Sequence, residues 1–118
     1  KRSLVNVVGT AIGGAADDAS DVARRTLLPF SAPGEATLIG RNERANCLNA
    51  AFLNALAGNV FDFDDTHPGT IIHPSAPVGP PLFAWAERAG MSGADLLRAF
   101  VLGVEIECRL GNAVSPHH

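Results

Sequence analysis

Apolar residues along this chain recur at helical rather than strand spacing. In the stretch LVNVVGTAIGGAA, Leu4 to Ala16, the positions Leu4, Val7, Val8, Ala11, Ile12 and Ala15 fall close to i, i+3, i+4, i+7, i+8, which is one face of a helix. Gly9, Gly13 and Gly14 each lower helix propensity by roughly 1 kcal/mol relative to alanine. Their presence predicts either close approach of another backbone or a loosely formed helix end. Asp17, Asp18 and Ser20 offer N-caps for a second helix from Asp21 to Leu28, with Arg24 and Arg25 toward its C-terminal half, where cations suit the dipole. Pro29 ends it.

Ser31 to Arg41 reads as a connection. Pro33-Gly34 is a turn signal, and Ala36 to Ile39 is the one place where the pattern allows a short extended segment. From Asn42, a good cap, Ala45, Leu48, Asn49, Phe52, Leu53, Leu56 and Val60 hold helical spacing for about five turns. A further helix is expected after His73-Pro74, capped by Ser75, with Pro77 in its first turn and Gly90 at its end. Pro80-Pro81 predicts that it is irregular or starts late. Ser92 with Asp95 forms a capping pattern for a last helix from Gly93 to Asn112, expected to bury Leu96, Leu97, Phe100, Val101, Val104, Ile106 and Leu110. The fold class that follows is all-α, four to five helices with one long loop.

Composition supports this picture. Of 118 residues, 47% are hydrophobic and 18% charged, which describes a chain able to bury a core and argues against disorder. A net charge of −3 leaves no basic surface for phosphates, so nucleic-acid binding is not expected. Charged residues interrupt every apolar run well before the ~20 residues a bilayer span needs, so no membrane partner is expected either. Cys47 and Cys108 lie far apart with no C-x-x-C pair, which reads as reduced, buried thiols in a cytoplasmic protein. Trp85 and Phe83 are expected in the core, and Glu107 in water. The opening Lys1-Arg2 and the closing His117-His118 read as cuts from a longer chain, the two histidines being either a tag or native sequence.

The chemistry is concentrated in FDFDDTHPGTIIHP, residues 61–74. Asp62, Asp64 and Asp65 stand at a helix C-terminus, where the macrodipole disfavours negative charge by a few tenths to about 1 kcal/mol. Three readings stay open on residue type alone. Asp64, Asp65, His67 and His73 are all possible ligands of a metal, although no H-x-x-x-H or E-x-x-H pair fixes a geometry. A carboxylate and an imidazole also suit acid/base catalysis, with Pro68 and Pro74 stiffening the loop and Gly69 letting a substrate approach the backbone. Finally, Asp, Thr, Gly and Pro collect in ordinary solvated turns.

A wider resemblance bears on this choice. The run AAFLNALA at residues 50–57, followed by FDFDDTH, then HPSAPVGPPLFAWAE, then GMSGADLLRAFVLGVEIECRLG, resembles the N-terminal helical domain of the MmgE/PrpD family. That family includes 2-methylcitrate dehydratase and cis-aconitate decarboxylase. The blocks occur in the family's order over about residues 42–112. The resemblance implies a partial N-terminal domain over residues 1–118 with the C-terminal domain absent, in a lyase that needs no cofactor and no metal. It implies a citrate-like tricarboxylate or a dicarboxylate as substrate, and a homodimer.

Carried over by position, the motif's first aspartate is Asp62, its threonine Thr66 and its H-P-S histidine His73. Asp62 and His73 are thereby the expected catalytic pair, and Thr66, with Asp65 and His67 as neighbours, the expected substrate-binding residues. Asp64 and Asp65 also match the motif, and capping or bracing the loop is the role the resemblance leaves for them. Elimination of water from a hydroxy-tricarboxylate, the 2-methylcitrate dehydratase reaction, needs a base and an acid; decarboxylation of a related alkene acid needs a proton delivered to carbon. Within the family a decarboxylase or a dicarboxylate epimerase is the alternative. Outside it the rivals are a non-catalytic helical dimerisation module and a metallo-hydrolase. A trianionic substrate needs cations, and only Arg41 and Arg44 lie near. The family supplies a further cation and histidine from later in the chain, so these 118 residues alone are expected to form one wall of a pocket and to be inactive.

Overall fold

The computed structural model describes residues 1–115. Residues 117 and 118, whose origin as tag or native sequence was the question, lie outside the described residues. The fold is all-α. Five α-helices run in order: α1 Arg2–Gly14, α2 Asp18–Leu27, α3 Cys47–Asn59, α4 Ser75–Ala89 and α5 Gly93–Val114. A 3-10 turn at Leu28–Phe30 follows α2, with Pro29 inside it. Between that turn and α3 two short strands, β1 Ala36–Thr37 and β2 Arg44–Ala45, pair antiparallel with Ala36 opposite Ala45.

The expected extended segment is thus present, but its partner strand lies where the spacing predicts the start of a helix. Asn42 does not cap α3. Asn46 does, its Oδ1 accepting the Asn49 N–H at 2.9 Å. The reason is tertiary: the backbone of residues 43–45 is drawn into the hairpin, where the Leu38 N–H donates to Glu43 O at 3.1 Å and the Glu35 N–H to Ala45 O at 2.8 Å. Ala45 is completely buried, but by the sheet rather than by a helix face.

The α2 helix starts at Asp18, three residues earlier than expected, because Asp17 caps it through the Ala19 N–H at 2.9 Å. The α4 helix is continuous from Ser75 despite Pro80 and Pro81. Those two prolines remove the N–H groups that would reach the carbonyls of residues 76 and 77, so the loss falls in its opening turns. Gly90, in the left-handed region at φ 64°, closes the helix.

Small residues set the core. Ala36, Leu38, Ala45, Cys47, Ala50, Leu53 and Ala84 form one buried cluster between the hairpin, α3 and α4. A buried amide locks the hairpin to α3: Asn54 accepts from the Ile39 N–H at 2.8 Å and donates to Thr37 O at 2.9 Å. Glu87 of α4 accepts from the Thr37 hydroxyl at 2.8 Å and pairs with Arg44 at 3.1 Å on the other side of the hairpin. On α1, Val7 and Ala11 are buried and Gly14 packs directly on α3. Gly9 and Gly13 face open space, so the close approach inferred from three glycines holds for one.

The last helix departs most from expectation. Only Phe100 and Gly111 of α5 are buried, while Val101, Ile106 and Leu110 are 66%, 54% and 62% exposed and Leu97 is exposed as well. Helical spacing identifies an apolar face but not what covers it. Trp85 is also half in water, with the Arg88 guanidinium 5.5 Å from its ring centre; Phe83 is half-buried. Cys47 is buried and Cys108 half-buried, both free. No helix among the described residues is long and apolar enough to cross a membrane.

Candidate active site

The loop between α3 and α4 starts from a strained backbone. Helix α3 ends at Asn59, the Asp62 N–H returns to Asn59 O at 2.8 Å, and Asp62 itself sits at φ 58°. That left-handed conformation is uncommon for a residue with a Cβ, and aspartate is among the few that tolerate it. The sharp reversal turns the chain back over the end of α3, which brings Asp62 and Asp64 to the same imidazole. His73 lies between them: its Nε2 is 3.3 Å from Asp62 Oδ1 and its Nδ1 3.2 Å from Asp64 Oδ1.

The two carboxylates differ in their surroundings. The Asp62 side chain is 81% exposed, that of Asp64 is 0% exposed, and the imidazole is 29% exposed. Asn59 donates its amide toward both Asp64 oxygens at 3.2 Å. In its charged form the ring has a donor on each nitrogen, and each then faces a carboxylate. Ligand atoms of Asp62, Asp64 and His73 lie within 4.8 Å of one another, a spacing that a cation also requires. Asp65 and His67, the other two ligands of the metal reading, are engaged elsewhere.

Asp65 works as an external cap. Its carboxylate accepts from the Ser75 N–H at 3.1 Å and from the Ser75 hydroxyl. Ser75 is therefore the first residue of α4 and not its cap, and the acid at the helix N-terminus suits the dipole. His67 closes a turn: its Nδ1 is 2.8 Å from the Thr70 hydroxyl, its N–H donates to Ile72 O at 2.8 Å, and its carbonyl accepts from the Ile71 N–H at 2.9 Å. Ile71 is 81% exposed at φ 54°, a conformation in which a β-branched residue is an outlier. Thr66 is exposed, its hydroxyl bonded to no protein group among the described residues. Of the five expected site residues, the structure joins Asp62 to His73 and leaves Thr66 free on the same loop.

The two candidate cations are occupied. Arg41 donates its Nε–H to Ala15 O at 2.9 Å and lies 3.6 Å from Asp21; Arg44, on β2, binds Thr37, Glu87 and two hairpin carbonyls. Neither is on a helix preceding the loop, as the pattern implied, and neither bonds to the loop. What sequence reasoning missed is the pairing of Asp64 with Asn59, one turn of chain earlier, and the position of Glu107.

Glu107, expected in water, is half-buried on α5. Loss of solvent raises its carboxyl above the ordinary value, and the charge of Asp65 raises it further. The folded chain therefore holds this proton more tightly than the unfolded chain does, and ionised Glu107 opposes folding. That penalty is absent below the ordinary value of 4.5 and complete once pH exceeds the raised value. Glu107→Gln should raise the melting temperature at neutral pH by an amount worth only tenths of a kcal/mol, because the group keeps much of its water. Thermal denaturation at pH 7 and again below 4.5 checks it, the gain vanishing in the acid.

The model of the MmgE/PrpD N-terminal domain matches residues 1–118. Cis-aconitate decarboxylase of Homo sapiens is 36% identical over 116 residues, covering 93% of this chain and 24% of the relative. The protein of the same name in Mus musculus is 35% identical, covering 93% of this chain and 23% of the relative. That of Aspergillus terreus is 27% identical over 95 residues, 76% of this chain and 19% of the relative. The chain thus spans about a quarter of the length of the two mammalian relatives.

Proposed function

The chain belongs to the MmgE/PrpD family, and from that premise we propose that it forms one wall of the active site of a cofactor-independent lyase that decarboxylates a cis-aconitate-like tricarboxylate. The observation that carries this reading is the Asp62–His73–Asp64 array, an imidazole with a carboxylate on each nitrogen at the open end of α3. Decarboxylation breaks the bond from carbon to a carboxylate, leaves the electron pair on the substrate and needs a proton delivered there. His73 delivers it from Nε2, the nitrogen beside the exposed Asp62, and Asp62 orients that N–H until the substrate takes it. The relatives' activity as cis-aconitate decarboxylases favours decarboxylation over the 2-methylcitrate dehydratase reaction, which would use the same pair to move a C–H proton and a hydroxyl.

Thr66 donates a hydrogen bond to a substrate carboxylate. The cations a trianion needs come from the rest of a longer chain, since Arg41 and Arg44 are spent within the fold. The apolar face of α5 supports the accompanying proposal of a covering C-terminal domain and a homodimer.

The test is turnover by the full-length protein, offered cis-aconitate and 2-methylcitrate in parallel, with release of carbon dioxide and formation or loss of the alkene followed separately. Carbon dioxide from cis-aconitate supports the proposal. Dehydration of 2-methylcitrate alone replaces it with the hydro-lyase, and activity abolished by a chelator and restored by zinc or manganese replaces it with a metal mechanism. In the active protein, Thr66→Val should raise KM about 10- to 100-fold, the equivalent of one hydrogen bond to a charged group. Its kcat should stay within a few-fold; an unchanged KM would remove Thr66 from the pocket.

A further inference from the structure

Asp64 is the more constrained of the two carboxylates at His73. A carboxylate with no exposed surface has lost its water and requires partners within the protein. Asn59 supplies one through two contacts at 3.2 Å, and neither lysine nor arginine pairs with Asp64 among the described residues. The one partner able to carry positive charge is His73. Its Nδ1 is buried and has no aligned hydrogen-bond partner, so the 3.2 Å approach of Asp64 Oδ1 meets the distance of an ion pair without the angle of a hydrogen bond. Catalytic hydrogen bonds are commonly loose in this way before substrate arrives.

We propose that Asp64, braced by Asn59, is a positioning residue that fixes the tautomer of His73. Its carboxylate keeps a proton on Nδ1, so the nitrogen that exchanges a proton with substrate is Nε2, on the side of Asp62. When the imidazolium gives its Nε2 proton to carbon, the neutral ring retains the Nδ1 proton and its Nε2 lone pair is left to be recharged from solvent. Charge and protons balance with no further reactant. The consequence for catalysis rests on the lyase reading above; the tautomer itself does not.

The burial difference between the two carboxylates divides their work. Asp62, in water and on strained backbone, is free to meet substrate. Asp64 is sealed beneath the ring and holds it from behind. The FDFDD spacing produces this division because the left-handed turn at Asp62 places the next aspartate, Asp64, underneath the imidazole.

The experiment uses the full-length protein with 15N-labelled histidine, His73 being assigned by its disappearance in His73→Gln. Long-range proton–nitrogen correlation at a pH where the ring is neutral should find the proton on Nδ1. In Asp64→Asn the signal should move toward the Nε2-protonated tautomer, with kcat about 100- to 10,000-fold lower and KM within about threefold, as expected when the wrong tautomer predominates. An Nδ1 proton retained in Asp64→Asn, or a kcat left intact, overturns the proposal. A melting temperature lowered with the tautomer unchanged also overturns it, marking Asp64 as structural. Should Asp64→Asn fail to fold, Asn59→Ala decides, since Asn59 is exposed at the end of α3: partial loss of the Nδ1 tautomer with about tenfold lower kcat supports the proposal, and neither change overturns it. A wild type that turns over no tricarboxylate defeats the lyase reading and leaves the tautomer to judge Asp64 alone.

Discussion

Replacing His73 by glutamine in the full-length protein should lower kcat about 100- to 10,000-fold, the usual worth of a positioned acid or base, while leaving the melting temperature nearly unchanged. Glutamine is chosen because of Asp64. Its amide can still donate to the buried carboxylate, whereas alanine would leave that carboxylate with Asn59 alone and cost about 1–3 kcal/mol for the lost partner. The pair of variants therefore separates chemistry from folding. If glutamine preserves turnover, His73 is not the proton carrier and Asp62 has nothing to orient. If neither variant affects turnover and both still self-associate, the helical domain serves assembly and the loop is only polar.

The meeting of Asp62 with His73 was more legible than the order within the loop. The ordered blocks from AAFLNALA through HPS singled out one loop, and within it the structure brings Asp62 and His73 to 3.3 Å. Residue type could not say that Asp64 would be buried and Asp62 exposed, since both lie in the same five residues. That outcome depends on one backbone torsion, φ 58° at Asp62, which no periodicity encodes. Asp65 and His67 show the same limit. Each has a side chain suited to a substrate, and each is drawn into local order, Asp65 by Ser75 and His67 by Thr70.

The fold was legible wherever local chemistry and tertiary contacts agree. Ser92 caps α5 as its sequence suggests, and Pro29 marks the end of α2. The sequence pattern failed where a distant partner decided. Residues 44 and 45 fit a helix by spacing, yet they become a strand because Ala36 and Thr37 lie opposite. The apolar stripe of α5 is present but largely uncovered, because burial belongs to a pair of surfaces and spacing reports one of them. Glu107 illustrates the converse: a charged residue on the same helix is half-buried near Asp65.

Gly14→Ala should be the most destabilising single change outside the site. A Cβ there would lie 2.0 Å from Ala57 O, 2.6 Å from Val60 Cγ1 and 3.0 Å from the Ala57 carbonyl carbon. Two of those atoms are helix backbone, which cannot swing aside as a side chain can, so α1 and α3 must separate. Overpacking usually costs about 1–3 kcal/mol, and a backbone clash belongs at the upper end, which at about 4 °C per kcal/mol lowers the melting temperature by roughly 10 °C. Gly9→Ala and Gly13→Ala lie on the same helix with nothing within 4 Å. They should each raise stability by up to about 1 kcal/mol through helix propensity alone. The effect should reach the site as well, because the turn displaced at Ala57 and Val60 is the one that carries Asn59 and leads into Asp62. At a temperature where Gly14→Ala remains folded, its kcat should therefore fall while those of the other two variants hold. Equal melting temperatures for Gly14→Ala and Gly13→Ala would mean that α1 does not pack on α3 through Gly14, and that the end of α3 is positioned by something else.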